Sequence, residues 1–314
     1  MEKMSAFGKS EEPFNGMQIT ESMRNNLNYN GNTRKFGVTL GNKNYIVKFA
    51  KDNDLSVFTE YLASHLMQYF GVNAQNTYYC HYKGSNVVLM EDFTTDGVEL
   101  HSFKDTKQSS EDTDMSNKEY TYTDVIYLME KHLKIKDAYK SDVIEQFWTM
   151  YAVDAILGNR DRHWGNWGYL KTKDGYLAAP VYDNGASLYP GVYKVIDNFP
   201  SDDILIDRTL TVPASLFRVR KPDRTYRSNY LEIMQSHDFK DLDLAKSRIA
   251  CTTTWKDLYN YVKCLTKDLP VEYNVKRFWV CIVVCRFRTM IMDEPLDKVL
   301  EDVRRLDYAR LSLC

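Results

Sequence analysis

Two stretches of this sequence carry side chains of the types and spacing needed to move a phosphoryl group. The first reads Gly158-Asn159-Arg160-Asp161-Arg162-His163-Trp164-Gly165-Asn166 and contains an Asp-x4-Asn, Asp161 and Asn166. The second, further on, is Tyr182-Asp183-Asn184-Gly185, an Asp-x-Gly. Transfer from a triphosphate requires divalent metal to offset its negative charge, and hard Mg²⁺ prefers oxygen ligands. Asp183 and Asn166 would supply a carboxylate and an amide oxygen. A separate carboxylate must orient the attacking hydroxyl and accept its proton, and Asp161 has that place. Asp-x4-Asn alone is common by chance. Its position between a helix and a hairpin, with Asp-x-Gly at the far end, is much more specific.

The elements that must position these groups can be read from periodicity. Ile144, Phe147, Trp148, Tyr151 and Ala155 form a helical stripe ending near Gly158. Strands at Trp167–Lys171 and Tyr176–Tyr182, turning at Lys173-Asp174-Gly175, form the hairpin that brings Asp183 back toward Asn166. Upstream, Phe36–Leu40 and Tyr45–Phe49 read as strands joined through Gly41-Asn42-Lys43-Asn44. Asp54–Phe70 reads as a helix, with Leu55, Phe58, Leu62, Leu66 and Tyr69 on one face and Gly71 as its C-cap. Strands follow at Thr77–Tyr82 and Asn86–Glu91. The first 30 residues are polar and read as an arm or flexible loop. Lys104–Lys118 contains a long stretch with no apolar residue and reads as a solvated connector. Tyr230–Leu313 is mostly helical. The expected class is α+β: a small antiparallel β-rich lobe over residues 1–95, then a larger, mainly helical lobe over 96–314.

Composition bounds the alternatives. The chain has 314 residues, 44% hydrophobic and 27% charged, which suits a packed globular protein and excludes wholesale disorder. Its 41 basic and 43 acidic residues give a net charge of −2, so no global field holds nucleic acid as a direct ligand. The basic run Arg218–Arg227 reads as a solvated face. The longest strongly apolar run, Phe278–Cys285, is far shorter than the ~20 residues of a membrane span. The start has no secretory leader pattern. The six cysteines form no CxxC pair, and Cys281 and Cys285 read as small core hydrophobes. This usage predicts a cytoplasmic protein, although leaderless secretion leaves no such mark.

The string Gly-Asn-x-Asp-Arg-His-x-Gly-Asn, followed by Tyr-Asp-Asn-Gly-Ala-Ser-Leu, resembles the HipA-like serine/threonine kinases, and in size and layout their compact, CtkA-type members. Asp-Arg-His-x-x-Asn also occurs in phosphoinositide kinases. The resemblance is close over about 30 residues and looser over most of the chain. It implies a two-lobed protein-kinase-like fold using ATP and Mg²⁺. Lys48, in Tyr45-Ile46-Val47-Lys48-Phe49, is then the ATP lysine, and Glu60 on the next helix its partner. The backbone near Thr33, with Arg34 or Lys35, would cradle phosphate, and Met90-Glu91-Asp92-Phe93 would be the hinge whose backbone groups near Glu91 and Phe93 bond the adenine edge. His163 is either catalytic, as in phosphoinositide kinases, or a support for the loop; the supporting role is favoured. Arg162 would brace an activation segment or pair with a neighbouring acid. The expected partners are a protein substrate and an antitoxin or other regulatory protein. Ser109, Ser110, Thr113, Thr20, Ser22 and Thr33 offer hydroxyls for autophosphorylation. The rival readings are a phosphoinositide or small-molecule kinase, a non-catalytic nucleotide-binding regulator, and an adenylyl transferase.

Overall fold

A computed structural model describes residues 14–29, 33–51, 54–94, 97–105, 121–131, 135–173, 175–191, 202–212, 219–220, 225–226 and 229–306. The N-terminal part is a five-stranded sheet of β1 (Gln18–Ile19), β2 (Lys35–Leu40), β3 (Lys43–Phe49), β4 (Thr77–Tyr82) and β5 (Ser85–Glu91). The strand order is β1-β4-β5-β3-β2, with β1 parallel to β4 and the other pairs antiparallel. The β2–β3 turn is tighter than the sequence reading, because Lys43 and Asn44 already pair with Leu40 and Thr39.

Side chains alternate faces along a strand. On β3, Tyr45, Val47 and Phe49 therefore share one face and Ile46 and Lys48 the other. Tyr45, Val47 and Phe49 join Phe36, Val38, Cys80, Tyr82, Val87 and Leu89 in a small outer core. Phe14, Met17 and Met23 pack on that core, with the Phe14 ring 5.5 Å from Tyr45 and 5.2 Å from Tyr78. Residues 14–29 are thus a docked cover over the sheet, where a polar arm was expected. The sheet presents an apolar outer face that something must bury.

The inner face receives α1 (Ser56–Tyr69). Every residue from Val57 to Met67 is buried, because the sheet covers one side of α1 and the helical part the other. The helical part contains α2 (Tyr122–Lys131), α3 (Asp137–Leu157), α4 (Asp202–Leu210), α5 (Tyr230–Gln235), α6 (Lys240–Thr252), α7 (Trp255–Thr266), α8 (Tyr273–Arg286) and α9 (Leu296–Arg305). Helix α8 lies in the centre of this core and buries Cys281 and Cys285. Burial pushes both thiols up to about 12, as expected for inert core cysteines.

A second sheet carries the motifs: β6 (Glu99–Ser102), β7 (Gly168–Thr172) and β8 (Gly175–Ala178), in that order. Strand β8 is shorter than the sequence reading. Ala179 still donates to the Gly168 carbonyl of β7 at 3.0 Å; beyond it the chain pairs with the stretch after α1, where Val181 donates to the Asn73 carbonyl at 2.8 Å and accepts from the Gln75 amide at 2.9 Å. That crossing ties the residues before Asp183 to the sheet half of the molecule. The lobe boundary expected at residue 95 lies outside the described residues, as does the connector from residue 106 to 118. Of the basic run, only Val219–Arg220 and Thr225–Tyr226 are described, as a two-stranded ribbon. No described helix is long and apolar enough to cross a membrane.

Candidate active site

Lys48 sits at the centre of the site. Period-two alternation turns it to the inner face, where Glu60 of α1 waits. Its Nζ donates at 2.7 Å to Glu60 Oε2 and at 2.7 Å to Asp183 Oδ1. Burial works against the ammonium, but the two carboxylates outweigh it and raise the Lys48 pKa. Glu60 is fully buried and receives more than the lysine. The Asn184 amide donates to its Oε1 at 2.5 Å, and the Gly185 amide to its Oε2 at 3.1 Å. The fit at Gly185 is tight: an added Cβ would lie 3.1 Å from Glu60 Oε2. Thr59 Oγ1 donates to the Gly185 carbonyl at 2.6 Å, so α1 grips Asp-x-Gly twice.

Asp183 itself has φ +55, which turns its carboxylate out of the strand path. Its side chain remains 48% exposed. Burial pushes its pKa up, but Lys48 beside it, with Arg162 and Lys35 further off, holds it below the ordinary aspartate value. Lys35 lies directly across the ladder from Lys48. Burial and the charge of Lys48 together lower its pKa, so two cations face the same space.

The Asp161–Asn166 loop follows α3. That helix stops at Gly158, which has φ +64 and so caps it in the left-handed region. Arg162 then turns inward and is fully buried. It donates from Nε to Asp154 Oδ2 at 2.8 Å and from Nη2 to Asp154 Oδ1 at 3.1 Å. It also donates to the Asn166 carbonyl at 2.8 Å, the Tyr182 carbonyl at 2.8 Å, and Asn184 Oδ1. Burial opposes the guanidinium charge, but Asp154 overrides it and raises the Arg162 pKa. One arginine therefore joins helix α3, the Asp161–Asn166 loop and the Asp-x-Gly segment.

The backbone of Asp161 is pinned, and its carboxylate has no bond among the described residues. Its amide donates to Asn159 Oδ1 at 3.0 Å, and its carbonyl accepts from the His163 amide at 2.8 Å. Asn166 is buried, and its Nδ2 donates to the same carbonyl at 2.9 Å, which leaves its Oδ1 uncommitted among the described residues. Asp161 and His163 are exposed. His163 Nδ1 accepts from the Gly165 amide at 3.0 Å, a bond that supports the loop.

The expected adenine residues divide. The Glu91 amide donates to the Asn76 carbonyl at 2.9 Å, and its own carbonyl accepts Gln75 Nε2 at 2.9 Å. Its carboxylate holds Lys43 at 2.6 Å and Asn76 at 3.0 Å. Phe93 has no such backbone commitment among the described residues, and its ring lies 6.0 Å from Tyr182. Thr33 begins the entry to β2; residues 30–32 before it lie outside the described residues.

Lys48, Glu60, Asp183, Asn166 and Asp161 thus belong to one bonded assembly, although they come from four separate stretches of chain. The sequence reading missed Asp154, Asn159, Asn184 and Ser64, the last accepting Asn184 Nδ2 at 3.0 Å. Asp154 had a readable signal. It is a lone acid in the apolar run Tyr151-Ala152-Val153-Asp154-Ala155-Ile156-Leu157, where an unpaired charge would be prohibitive.

A β-sheet lobe whose third strand supplies a lysine to a helical glutamate, above a helical part carrying Asp-x4-Asn and Asp-x-Gly, is the protein-kinase-like class. The sequence matches the model of the HipA-like C-terminal domain over residues 26–200, and the chain belongs to that family. It is 32% identical over 227 residues to the serine/threonine-protein kinase CtkA of Helicobacter pylori strain J99, covering 68% of this chain. The match spans 66% of that protein, just under two thirds of its length. The crystal structure of the Helicobacter pylori proinflammatory kinase CtkA is similar with a TM-score of 0.76 and 27% identity, over 93% of this chain and 100% of that one. HipA of Shewanella oneidensis MR-1, solved with HipB and its operator DNA, is similar with a TM-score of 0.52 and 16% identity. That match covers 92% of this chain and 69% of the HipA chain, and it is a likeness of fold alone.

Proposed function

We propose that this chain is an ATP- and Mg²⁺-dependent protein serine/threonine kinase whose acceptors include its own hydroxyls. Residues 1–95 form its nucleotide-binding lobe and 96–314 the lobe with the catalytic loop. The observation that carries the reading is Lys48 held at 2.7 Å by both Glu60 and Asp183. An ammonium has three donors, and two are committed here. The third is left to take a phosphate oxygen of ATP, with Glu60 holding the side chain extended.

Asn166 Oδ1 and the half-exposed Asp183 carboxylate are hard oxygen donors and fit Mg²⁺, which takes few protein ligands and completes its shell with phosphate and water. When bound, the metal neutralises charge on the β and γ phosphates. Phe93 offers its backbone groups to the adenine edge, while Glu91 closes the strand beside it. Asp161, with its backbone pinned by Asn159, His163 and Asn166, takes the proton from the acceptor hydroxyl. The hydroxyl oxygen then bonds to the γ phosphorus as the bond to the bridging oxygen of ADP breaks. Most of the rate comes from positioning and electrostatics.

The test is to incubate the chain with Mg²⁺ and terminally labelled ATP, beside Asp183→Asn, and locate phosphate by mass spectrometry. Label on serine or threonine in the wild type alone is the expected result. Binding of ATP with Mg²⁺ but label only on an added lipid or small molecule would move the acceptor class. Absence of nucleotide binding by the folded chain would overturn the reading.

A further inference from the structure

Beside the catalytic loop, three guanidinium groups crowd one tyrosine ring. The central carbons of Arg160, Arg208 and Arg286 lie 5.1, 5.0 and 5.2 Å from the centroid of Tyr189. Each is a favourable cation–π contact, but three cations around one ring repel one another. A balanced structural cluster would interleave carboxylates. Among the described residues the only ion pair they make is a loose one, Arg208 Nε to Asp207 Oδ2 at 3.6 Å.

Arg286 makes the imbalance sharper. It is fully buried, yet it pairs with no acid among the described residues. Its Nη1 donates to the Ile156 carbonyl at 3.3 Å, and its Nη2 to Tyr189 Oη at 2.8 Å and the Arg208 carbonyl at 2.7 Å. Its Nε has no acceptor among the described residues. A buried guanidinium without a counter-ion is costly, and burial pushes its pKa down. It packs directly against Gly158, so its charge sits under the start of the catalytic loop.

The ring that gathers the arginines is held in place at a cost. Leu188 and Tyr189 both have φ +54, a left-handed conformation unfavourable for such side chains. Three bonds enforce it. The Leu188 amide donates to the Leu157 carbonyl at 2.9 Å, Trp279 Nε1 donates to the Leu188 carbonyl at 2.9 Å, and the Leu55 amide donates to the Pro190 carbonyl at 2.9 Å. Arg160 is exposed, immediately before Asp161, and the Arg208 side chain is 40% exposed. Two open guanidiniums and a buried third concentrate positive charge around Tyr189, and one of them, Arg160, immediately precedes the carboxylate assigned to the acceptor hydroxyl.

We infer that Arg160 and Arg208, gathered with the buried Arg286 around the Tyr189 ring, bind a phosphate monoester carried on a polypeptide. A phosphate with about two negative charges at neutral pH matches three cations better than a single carboxylate does, and guanidinium forks pair with it bidentately. Beside Asp161, such a group fixes which polypeptide segment lies in the site. The phosphate belongs either to an acceptor protein already modified near its target hydroxyl or to this chain. The inference rests on the kinase reading for its meaning, but binding at the arginines can be measured without turnover.

The probe is a fluorescent Gly-Gly-pSer-Gly-Gly peptide and its unphosphorylated twin, titrated by anisotropy into phosphatase-treated protein. Saturating Mg²⁺ and a non-hydrolysable ATP analogue fill the nucleotide site. The phosphopeptide is expected to bind about tenfold tighter or more, the worth of one charge-assisted bond. R160Q/R208Q is expected to lose that preference while keeping the wild-type melting temperature and analogue affinity; R160Q alone, at an exposed position, gives a second comparison. Equal affinity for the two peptides, or a preference that survives in R160Q/R208Q, would overturn the site. Prior incubation with ATP and Mg²⁺ distinguishes the sources. Loss of peptide binding on self-phosphorylation assigns the phosphate to this chain, and unchanged binding assigns it to the acceptor. The analogue reads the nucleotide site and the peptide reads the arginines, so either can fail without the other.

Discussion

The inner and outer halves of the candidate site are built on opposite rules. In the inner half, Glu60, Asp154, Arg162 and Asn184 are wholly buried, and their polar side chains are held by several partners each. In the outer half, Asp161 is exposed and Asp183 is half-exposed; the Asp161 backbone is fixed, and Asp183 gives one oxygen to Lys48 and keeps the other. Buried polar groups must be satisfied or they cost stability, so the inner half spends its bonding capacity on itself. The outer half keeps its capacity for ligands. The difference separates residues that hold the site from residues that would act in it, and it can be attacked from either side.

The largest expected effect on stability comes from the inner half. Asp154→Ala strands the buried Arg162 charge and should cost about 3–5 kcal/mol, read as a shift in the denaturation midpoint. A smaller change would mean that the guanidinium finds water or another acceptor. Gly158→Ala comes next. It forces a left-handed alanine whose Cβ overlaps the Arg286 guanidinium, with an expected cost of about 1–3 kcal/mol by the same measurement. His163→Ala removes one support of the Gly165 amide and should cost only about 0.5–1.5 kcal/mol. If phosphate transfer fell a thousandfold in that variant with stability intact, His163 would belong to the acting half.

The smallest effect is a pH dependence. The Asp183 pKa is depressed in the folded chain, so its contribution to stability is present above the unfolded value of about 4. It is lost as pH falls through the folded value. Lys48 is raised, so its contribution persists below about 10.4 and is lost only as pH rises beyond its folded value. The stability difference between wild type and Asp183→Asn should therefore be flat between about pH 5 and 9 and shrink below about pH 4. A difference that changes near neutrality would point to a different partner for Asp183.

The acting half was more legible in the sequence than the holding half. Asp161, Asn166 and Asp183 stand in short motifs whose spacing mirrors a helix–loop–hairpin, so local pattern sufficed to group them. Lys48 and Glu60 needed the family resemblance. The stripe on α1 through Phe58, Leu62 and Leu66 places Glu60 on the opposite, apparently solvated face, and only packing of a second layer buries it. Arg162 could be assigned to an acid but not to Asp154, because the pairing depends on how α3 meets the loop. The N-terminal cover was misread for a similar reason. Phe14, Met17 and Ile19 are sparse in a polar stretch, and their value appears only once the outer face of the sheet exists to receive them.

The most direct test of the central claim is one variant with three readouts. Asp161→Ala should bind ATP with Mg²⁺ as the wild type does and melt at the same temperature. Its phosphate transfer to serine or threonine should fall by about 10²–10⁴-fold, the usual worth of a positioned general base. Transfer that continues at the wild-type rate in the folded variant, with ATP still bound, would contradict the assignment of Asp161 and with it the division between holding and acting residues.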